Sequence, residues 1–385
     1  MQDLDSNQQI SRSSDVIRNI AHIKGIPVQT LQQLEPVTRL FEFRISRYYA
    51  DLIDWTDPDD PLRQIVLPHS SEIESDLDID ASREVDNTPV HGVQHKYRPT
   101  ALLLVNDVCS SYCRFCFRKR FTLSTSNKNH ILPPGHQNHD KETSFNIQEG
   151  IAYIAQHPEI NNVLLTGGDP LMLSVTRLEP ILKQLCEVPH IQTIRIGSKV
   201  PAFDPERLSN VLLDTLAHYN TPKQRIYLML HFSHPRELTL LACQKLEALL
   251  SRRLILCNQT PLLRGVNDTP ETLVALHVKL ASVGVTPYYV FHCRPTYGNE
   301  RFMISIQEGL QIVSAARAQL SGLAKRFRYV GSHSTGKIEI VGQLHDQIIL
   351  RYHEAKDPEN ENKLFTWPVD QTAFWFDDML RVQGE

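Results

Sequence analysis

Three cysteines fall within eight residues, Cys109-x₃-Cys113-x₂-Cys116, in the segment CSSYCRFCFRKR. Three thiolates offered by one short loop are soft ligands, suited to an iron–sulfur cluster or to zinc. A tetrahedral structural zinc site needs a fourth ligand, and no nearby Cys or His completes a finger spacing. A cubane cluster has four irons, so three cysteines leave one iron open to bind and reduce a substrate. The remaining cysteines, at 186, 243, 257 and 293, are scattered. Cys186 and Cys243 lie in apolar segments and read as buried thiols. An odd count of seven suggests no disulfide framework and points to a reducing cytoplasm.

Other reactive or charged groups lie in short polar motifs. Gly167-Gly168-Asp169-Pro170 combines backbone that can approach a ligand closely with an acidic side chain, although alone it also describes a tight turn. Arg118-Lys119-Arg120 follows the third cysteine, and a basic run is commonly a solvated one. Lys337 sits in SHSTGKIEI, where most lysines would be exposed. His231, Asn258 and Gln259 stand in HFSHP and NQTP.

Short apolar runs must hold these groups in place. ALLLVN at 101, NVLLT at 162, TIRIG at 193, RIYLMLHF at 225, LILCN at 254 and TPYYVFH at 286 are strand-like in length and composition. Helical spacing recurs between them, at Ile147/Ile151/Ile154, in Leu178–Cys186 and in Leu238–Leu250. Thr269, Pro270 and Glu271 give a helix start. Alternating strand and helix predicts parallel βα units and an α/β fold. The polar motifs follow immediately after the six strands, as active-site loops do in a (β/α) barrel. The region 1–93 is weakly patterned, with a helix expected over Val37–Ile53 and an acidic surface loop from Asp57 to about 86. Segments 94–330 and 331–385 complete the expected organisation.

The totals exclude other classes. The chain has 385 residues, 41% of them hydrophobic and 22% charged, the profile of a globular protein. Forty basic and 44 acidic residues give 40 − 44 = −4, which argues against nucleic acid or an anionic membrane as partner. The start, MQDLDSNQQISRSSD, lacks the apolar core of a secretory signal. No run of 18 apolar residues suggests a span.

The cluster loop and its flanks resemble the lysine 2,3-aminomutase family of radical S-adenosylmethionine enzymes. The likeness runs from about residue 88 to 352, through HKY, VLLTGGDPL, RIGSKVP, HFSHP, NQTPLLRGVND and PYYVFHCR. It implies a partial (β/α)₆ barrel, a [4Fe–4S] cluster on Cys109, Cys113 and Cys116, S-adenosylmethionine and pyridoxal 5′-phosphate. It gives S-adenosylmethionine to Gly167, Gly168, Asp169, His231, Asn258 and Gln259, and the substrate α-carboxylate to Arg118. It makes Lys337 the lysine that carries pyridoxal phosphate as a Schiff base. An external electron donor of flavodoxin or ferredoxin type and a homo-oligomer are implied as well.

Departures from the family suggest what differs. The lysine enzymes read HRYPDR before the cluster, both arginines facing phosphate; this chain reads HKYRPT. Lys96 stands for the first arginine, and Arg98 is the substitute for the second, whose place Thr100 takes. The two aspartates that bind the lysine ammonium correspond to Arg294 and Val330. An arginine there repels an ammonium and attracts a carboxylate, so an acidic amino acid such as glutamate is expected. His333 is a further candidate in this pocket. Two alternatives stay open: radical C–H abstraction without pyridoxal phosphate, and a non-enzymatic cluster protein that carries electrons or senses redox state.

Overall fold

The structure, a computed structural model, describes residues 16–123 and 146–381. The polar start at 1–15 lies outside the described residues. Strands β1 (Val16–Ile17) and β2 (Ile45–Ser46) form a small antiparallel pair. An eleven-stranded sheet holds the rest: β3 (Val93–Tyr97), β4 (Thr100–Asn106), β5 (Asn162–Gly167), β6 (Thr193–Ser198), β7 (Arg225–Leu230), β8 (Ile255–Leu262), β9 (Thr286–His292), β10 (Arg328–His333), β11 (Gly336–Leu344), β12 (Gln347–Ala355) and β13 (Leu364–Pro368).

The strands lie side by side in chain order. β4 to β10 run parallel, while β3 and β11–β13 are antiparallel additions at the two ends. All six expected strands are present as β4–β9, and β10 extends the parallel series. The sheet is mixed and open, with β3 and β13 as edges. The expected boundary at 330/331 falls inside β10.

Parallel neighbours require crossovers, and each here contains a helix: 147–156, 175–187, 210–219, 240–251, 270–282 and 306–319. Their starts are read from local chemistry. Thr269 accepts from the Thr272 N–H, with Pro270 at the first helical position. Period-two alternation sorts the strands' side chains between two faces. Ile194 and Ile196 of β6 are fully buried in a core shared with Leu165, Leu182 and Leu228. Each such side chain contributes about 1.5–3 kcal/mol. The intervening Arg195 and Gly197 instead face a cavity.

The N-terminal region departs from expectation in two ways. The helix is not Val37–Ile53 but Val28–Leu40, and it ends where Phe41 turns extended at φ −116°, ψ 128°. Phe41, Phe43 and Ile45 then alternate into the core, and a second short helix covers Arg47–Ala50. Strand-like spacing over 41–45 had merged with two helical segments. The acidic stretch is also not simply a surface loop. Glu72 and Glu84 are buried against the cluster loop, because that loop's cations need counter-charges.

Candidate active site

A cavity of about 390 Å³ spreads over one face of the sheet and the loops at its strand ends. Cys109, Cys113, Cys116, Arg118, Gly167, Gly168, Asp169, His231, Gln259, Arg294, Lys96 and Lys337 all line it. Residues far apart in sequence therefore share one chamber.

The three thiols form its cluster end. Burial pushes the Cys113 thiol up to about 12 and raises Cys109 and Cys116 as well. Thiolates would therefore need an added cation, the condition that an iron cluster meets. No disulfide ties them.

Gly167 and Gly168 set the neighbouring loop against the cluster loop at main-chain contact. Gly167 has φ +111°, and a Cβ there would collide with the Asn106 carbonyl oxygen. A Cβ on Gly168 would lie 2.5 Å from the Val108 nitrogen. Asp169 also has a structural task. One carboxylate oxygen accepts from Leu171 N (3.0 Å), the other from Ser198 Oγ (3.0 Å), Lys199 N (2.7 Å) and Val200 N (3.0 Å). Four donors meet this buried carboxylate, so it fixes the β5 and β6 ends relative to each other, while the oxygen with a single donor keeps a lone pair. His231 lines the wall, with Nε2 3.0 Å from Ser233 Oγ, and burial holds it well below the ordinary histidine value. Asn258 does not line the cavity; it ties the Phe232 main chain.

The basic run after Cys116 is buried and paired. Glu72 meets Arg114 at 2.7 Å and Lys119 at 2.8 Å. Burial alone would raise the Glu72 carboxyl, but Arg114 and Lys119 hold it at about 2. Glu84 grips Arg118 through Nε (3.0 Å) and Nη2 (2.9 Å), and pairs with Arg120. Burial raises Glu84 too, and the two arginines overcome it. Arg118 Nη1 donates to Thr166 Oγ1 at 3.0 Å, and Nη2 also reaches Gln94 Oε1 at 3.5 Å. One Nη1 hydrogen is left for a ligand.

The opposite end is built from β3, β6 and β9–β12. Arg294, half-buried in the wall, donates to Ser332 O at 2.7 Å and to Ser82 Oγ. Its Nε is out of contact with solvent and has no acceptor. No carboxylate among the described residues pairs with it, and burial lowers its basicity. Phe117 lies between the two guanidiniums, 4.7 Å from Arg118 and 5.0 Å from Arg294. The Lys96 amine donates to the His333 carbonyl; burial, Arg294 and Lys337 bring it down to about 7. Lys337 pairs with Glu354, its cross-strand partner on β12. The Lys337 amine lies 4.8 Å from the Tyr289 ring and 5.3 Å from that of Tyr97. Burial lowers Lys337, and Glu354 opposes that shift.

Besides Asn258, three expected residues are not brought in. Arg98 is exposed, because it and Pro99 form the two-residue turn that joins β3 to β4. Val330 is buried in β10 away from the cavity lining. The His333 side chain is satisfied by Thr335 Oγ1 and Asp377 Oδ1, both at 2.8 Å. Thr100 does line the cavity. Glu84, Glu354, Arg195, Thr166, Tyr97 and Tyr289 were not singled out in the sequence. Alternation along β5, β6 and β9 marks Thr166, Arg195 and Tyr289 in retrospect, and counting outward from the His345–Asp346 turn finds Glu354.

No family model matches the chain. It is 47% identical over 96% of both chains to a relative from Aquifex aeolicus, provisionally assigned as an L-lysine 2,3-aminomutase. It is 35% identical to L-lysine 2,3-aminomutase of Clostridium subterminale, covering 81% of this chain and 73% of that one. It is 31% identical to glutamate 2,3-aminomutase of Clostridioides difficile, covering 90% and 80%. Among solved structures, a radical SAM methyltransferase from Sphaerobacter thermophilus aligns at a TM-score of 0.39 and 15% identity, over 62% of this chain and 68% of that one. The chain belongs to the lysine 2,3-aminomutase family, an enzyme family of radical isomerases. That family works with a [4Fe–4S] cluster, S-adenosylmethionine and pyridoxal phosphate. No helix among the described residues is long and apolar enough to cross a membrane.

Proposed function

We propose that this member of the family is a pyridoxal-phosphate-dependent 2,3-aminomutase whose substrate is an acidic amino acid, glutamate being the natural choice, rather than lysine. The observation that carries the substrate class is Arg294, a cavity-wall guanidinium with an unmet Nε–H and no carboxylate partner among the described residues. A desolvated cation left unpaired is costly, and a ligand carboxylate would supply the missing partner.

The donor set suits the three groups. Cys109, Cys113 and Cys116 would hold three irons and leave the fourth for S-adenosylmethionine, beside Gly167, Gly168, His231 and Gln259. Lys337 offers an amine between two aromatic rings, and Lys96 a cavity-lining amine that donates to a carbonyl and pairs with no carboxylate among the described residues. Arg98 is left out of this set because it lies outside the cavity. When bound, the cluster and S-adenosylmethionine supply hydrogen-abstracting radical chemistry, and pyridoxal phosphate an imine link and a delocalising ring. The chain's own side chains bind, orient and shield. Arg118 docks the α-carboxylate with its remaining Nη1 hydrogen, aimed by Glu84 and Thr166. Arg294 takes the distal carboxylate. Glu354 accepts the Lys337 proton when that amine must be neutral. Leu164, Met229 and Phe291 line the same wall and keep it apolar.

In this reading β4–β9 form a partial (β/α)₆ barrel, covered by 1–93 and extended by 331–385. An external one-electron donor of flavodoxin or ferredoxin type, a homo-oligomer and a cytoplasmic setting complete it, without a nucleic-acid or membrane partner. A second reading, radical abstraction without pyridoxal phosphate, draws on one observation. Thr100 and the exposed Arg98 leave Lys96 without a second phosphate-facing arginine from the β3–β4 turn.

The test is direct. Anaerobic, cluster-loaded protein is given pyridoxal phosphate and treated with borohydride, and the trapped adduct is located by mass spectrometry. An adduct on Lys337, absent from Lys337→Ala, is expected; none in the wild type selects the second reading. Reduced enzyme with S-adenosylmethionine is then offered glutamate and lysine. Glutamate should yield β-amino product at least about tenfold better, a difference of about 1.4 kcal/mol. Equal turnover of lysine would overturn the acidic assignment.

A further inference from the structure

We propose that His95, His157 and Glu159 form a site for a borderline divalent cation such as Zn²⁺, on the edge of the sheet and outside the cavity. One ligand atom from each lies within 4.8 Å of the other two, and no other such group occurs among the described residues. Two imidazoles and a carboxylate are the donor set that zinc and its neighbours take, and three protein ligands leave a position for water.

Three separate elements bring the groups together. His95 belongs to edge strand β3, His157 closes the helix 147–156, and Glu159 follows in the turn where Ile160 N donates to His157 O. His157 Nδ1 lies 2.8 Å from Glu159 Oε1, and the His95 and His157 rings are 5.7 Å apart. Tyr153, one helical turn before His157, stacks on its ring at 4.1 Å. His157 and Glu159 are about one-third exposed, so an ion has an entry path.

The tautomer of His95 is set in the manner of a metal ligand. Its Nε2 lies 3.1 Å from the Arg98 carbonyl, an acceptor only, so Nε2 carries the hydrogen and Nδ1 the lone pair. Ligating histidines characteristically donate their second ring nitrogen to such a carbonyl. The Tyr153 hydroxyl now meets Nδ1 at 2.9 Å and must swing aside for an ion. It is a competitor for the lone pair, and removing it should not harm binding.

An ion here would staple the edge strand to the neighbouring helix, and so hold the strand whose next residue, Lys96, reaches into the cavity. Cluster-loaded, full-length protein, freed of loose metal with a chelator, is titrated anaerobically with Zn²⁺ by calorimetry. One saturable equivalent is expected in the wild type, weakened about tenfold or more in His157→Ala and in Glu159→Gln, as loss of a ligand requires. Tyr153→Phe should bind as tightly as the wild type or more so. Zn²⁺ should raise the thermal midpoint of the wild type and not that of His157→Ala. No saturable wild-type binding, equal binding by wild type and His157→Ala, or loss of binding in Tyr153→Phe overturns the site.

Discussion

The cavity has two ends that treat buried cations in opposite ways. At the cluster end, Arg114, Lys119, Arg118 and Arg120 each touch a carboxylate from the strap at 72–84. At the far end Lys337 pairs with Glu354, while Lys96 and Arg294 donate to main-chain carbonyls and Arg195 to the Asn162 amide oxygen. A cation paired by its own chain is held in place, whereas one left without a carboxylate is poised for something that arrives. The cluster end is therefore charge-balanced as folded, and the far end carries more cations than carboxylates, as the proposed acidic substrate would require.

Removing a partner from the balanced end should have the largest effect. Glu72→Ala leaves Arg114 and Lys119 with relative exposures of 1% and no carboxylate. Breaking such a buried pair costs about 3–5 kcal/mol, to be read by anaerobic denaturant unfolding. Glu84→Ala should do the same and also free Arg118. Acid sharpens the point. Glu72 titrates near 2 in the folded chain against an ordinary 4.5. Its stabilisation is thus whole above 4.5 and lost as pH falls through 2.

The second expected effect has the reverse pattern. Arg294→Met should leave unfolding unchanged or slightly improved, because it removes a charge without a partner. Affinity for the acidic amino acid should fall about tenfold or more, near 1.4 kcal/mol. Loss of stability on the scale of Glu72→Ala would erase the distinction between the two ends.

The third expected effect lies in the alkaline limb. Lys96 titrates near 7 when folded and near 10.5 when unfolded. Its charged form opposes folding fully below 7, and that penalty disappears as pH rises to 10.5. Stability should climb over this interval, and the climb should vanish in Lys96→Met. Acylation mapping should find the Lys96 amine reactive near neutrality, where ordinary lysines are protected.

Much of this was legible in the chain. The six parallel strands announce themselves as apolar runs, and the motifs after them reach one cavity. What was not legible depends on contacts distant in sequence or on overlapping periodicities. The carboxylates at 72 and 84 look solvated until the fold brings Arg114 and Arg118 to them, 42 and 34 residues later. Asp169 carries the chemistry of a ligand-binding acid, and its second task, joining the β5 and β6 ends through one oxygen, depends on donors 29 to 31 residues later. Helical spacing from Val37 to Ile53 was an accident of two short helices flanking an extended Phe41–Ile45.

Because the strands lie in chain order, the molecule is also a linear map. Most of what would hold the radical source is encoded between residues 72 and 169, locked by glycine-to-main-chain contact at 106–108. Most of what faces the proposed anion is encoded from 289 to 354, on β9–β12 and the segment that follows β9. Inheritance can therefore edit the second passage without rewriting the first. A library varied only at 294, 332 and 354 should keep the iron–sulfur spectroscopic signature of the parent while its choice of amino acid drifts.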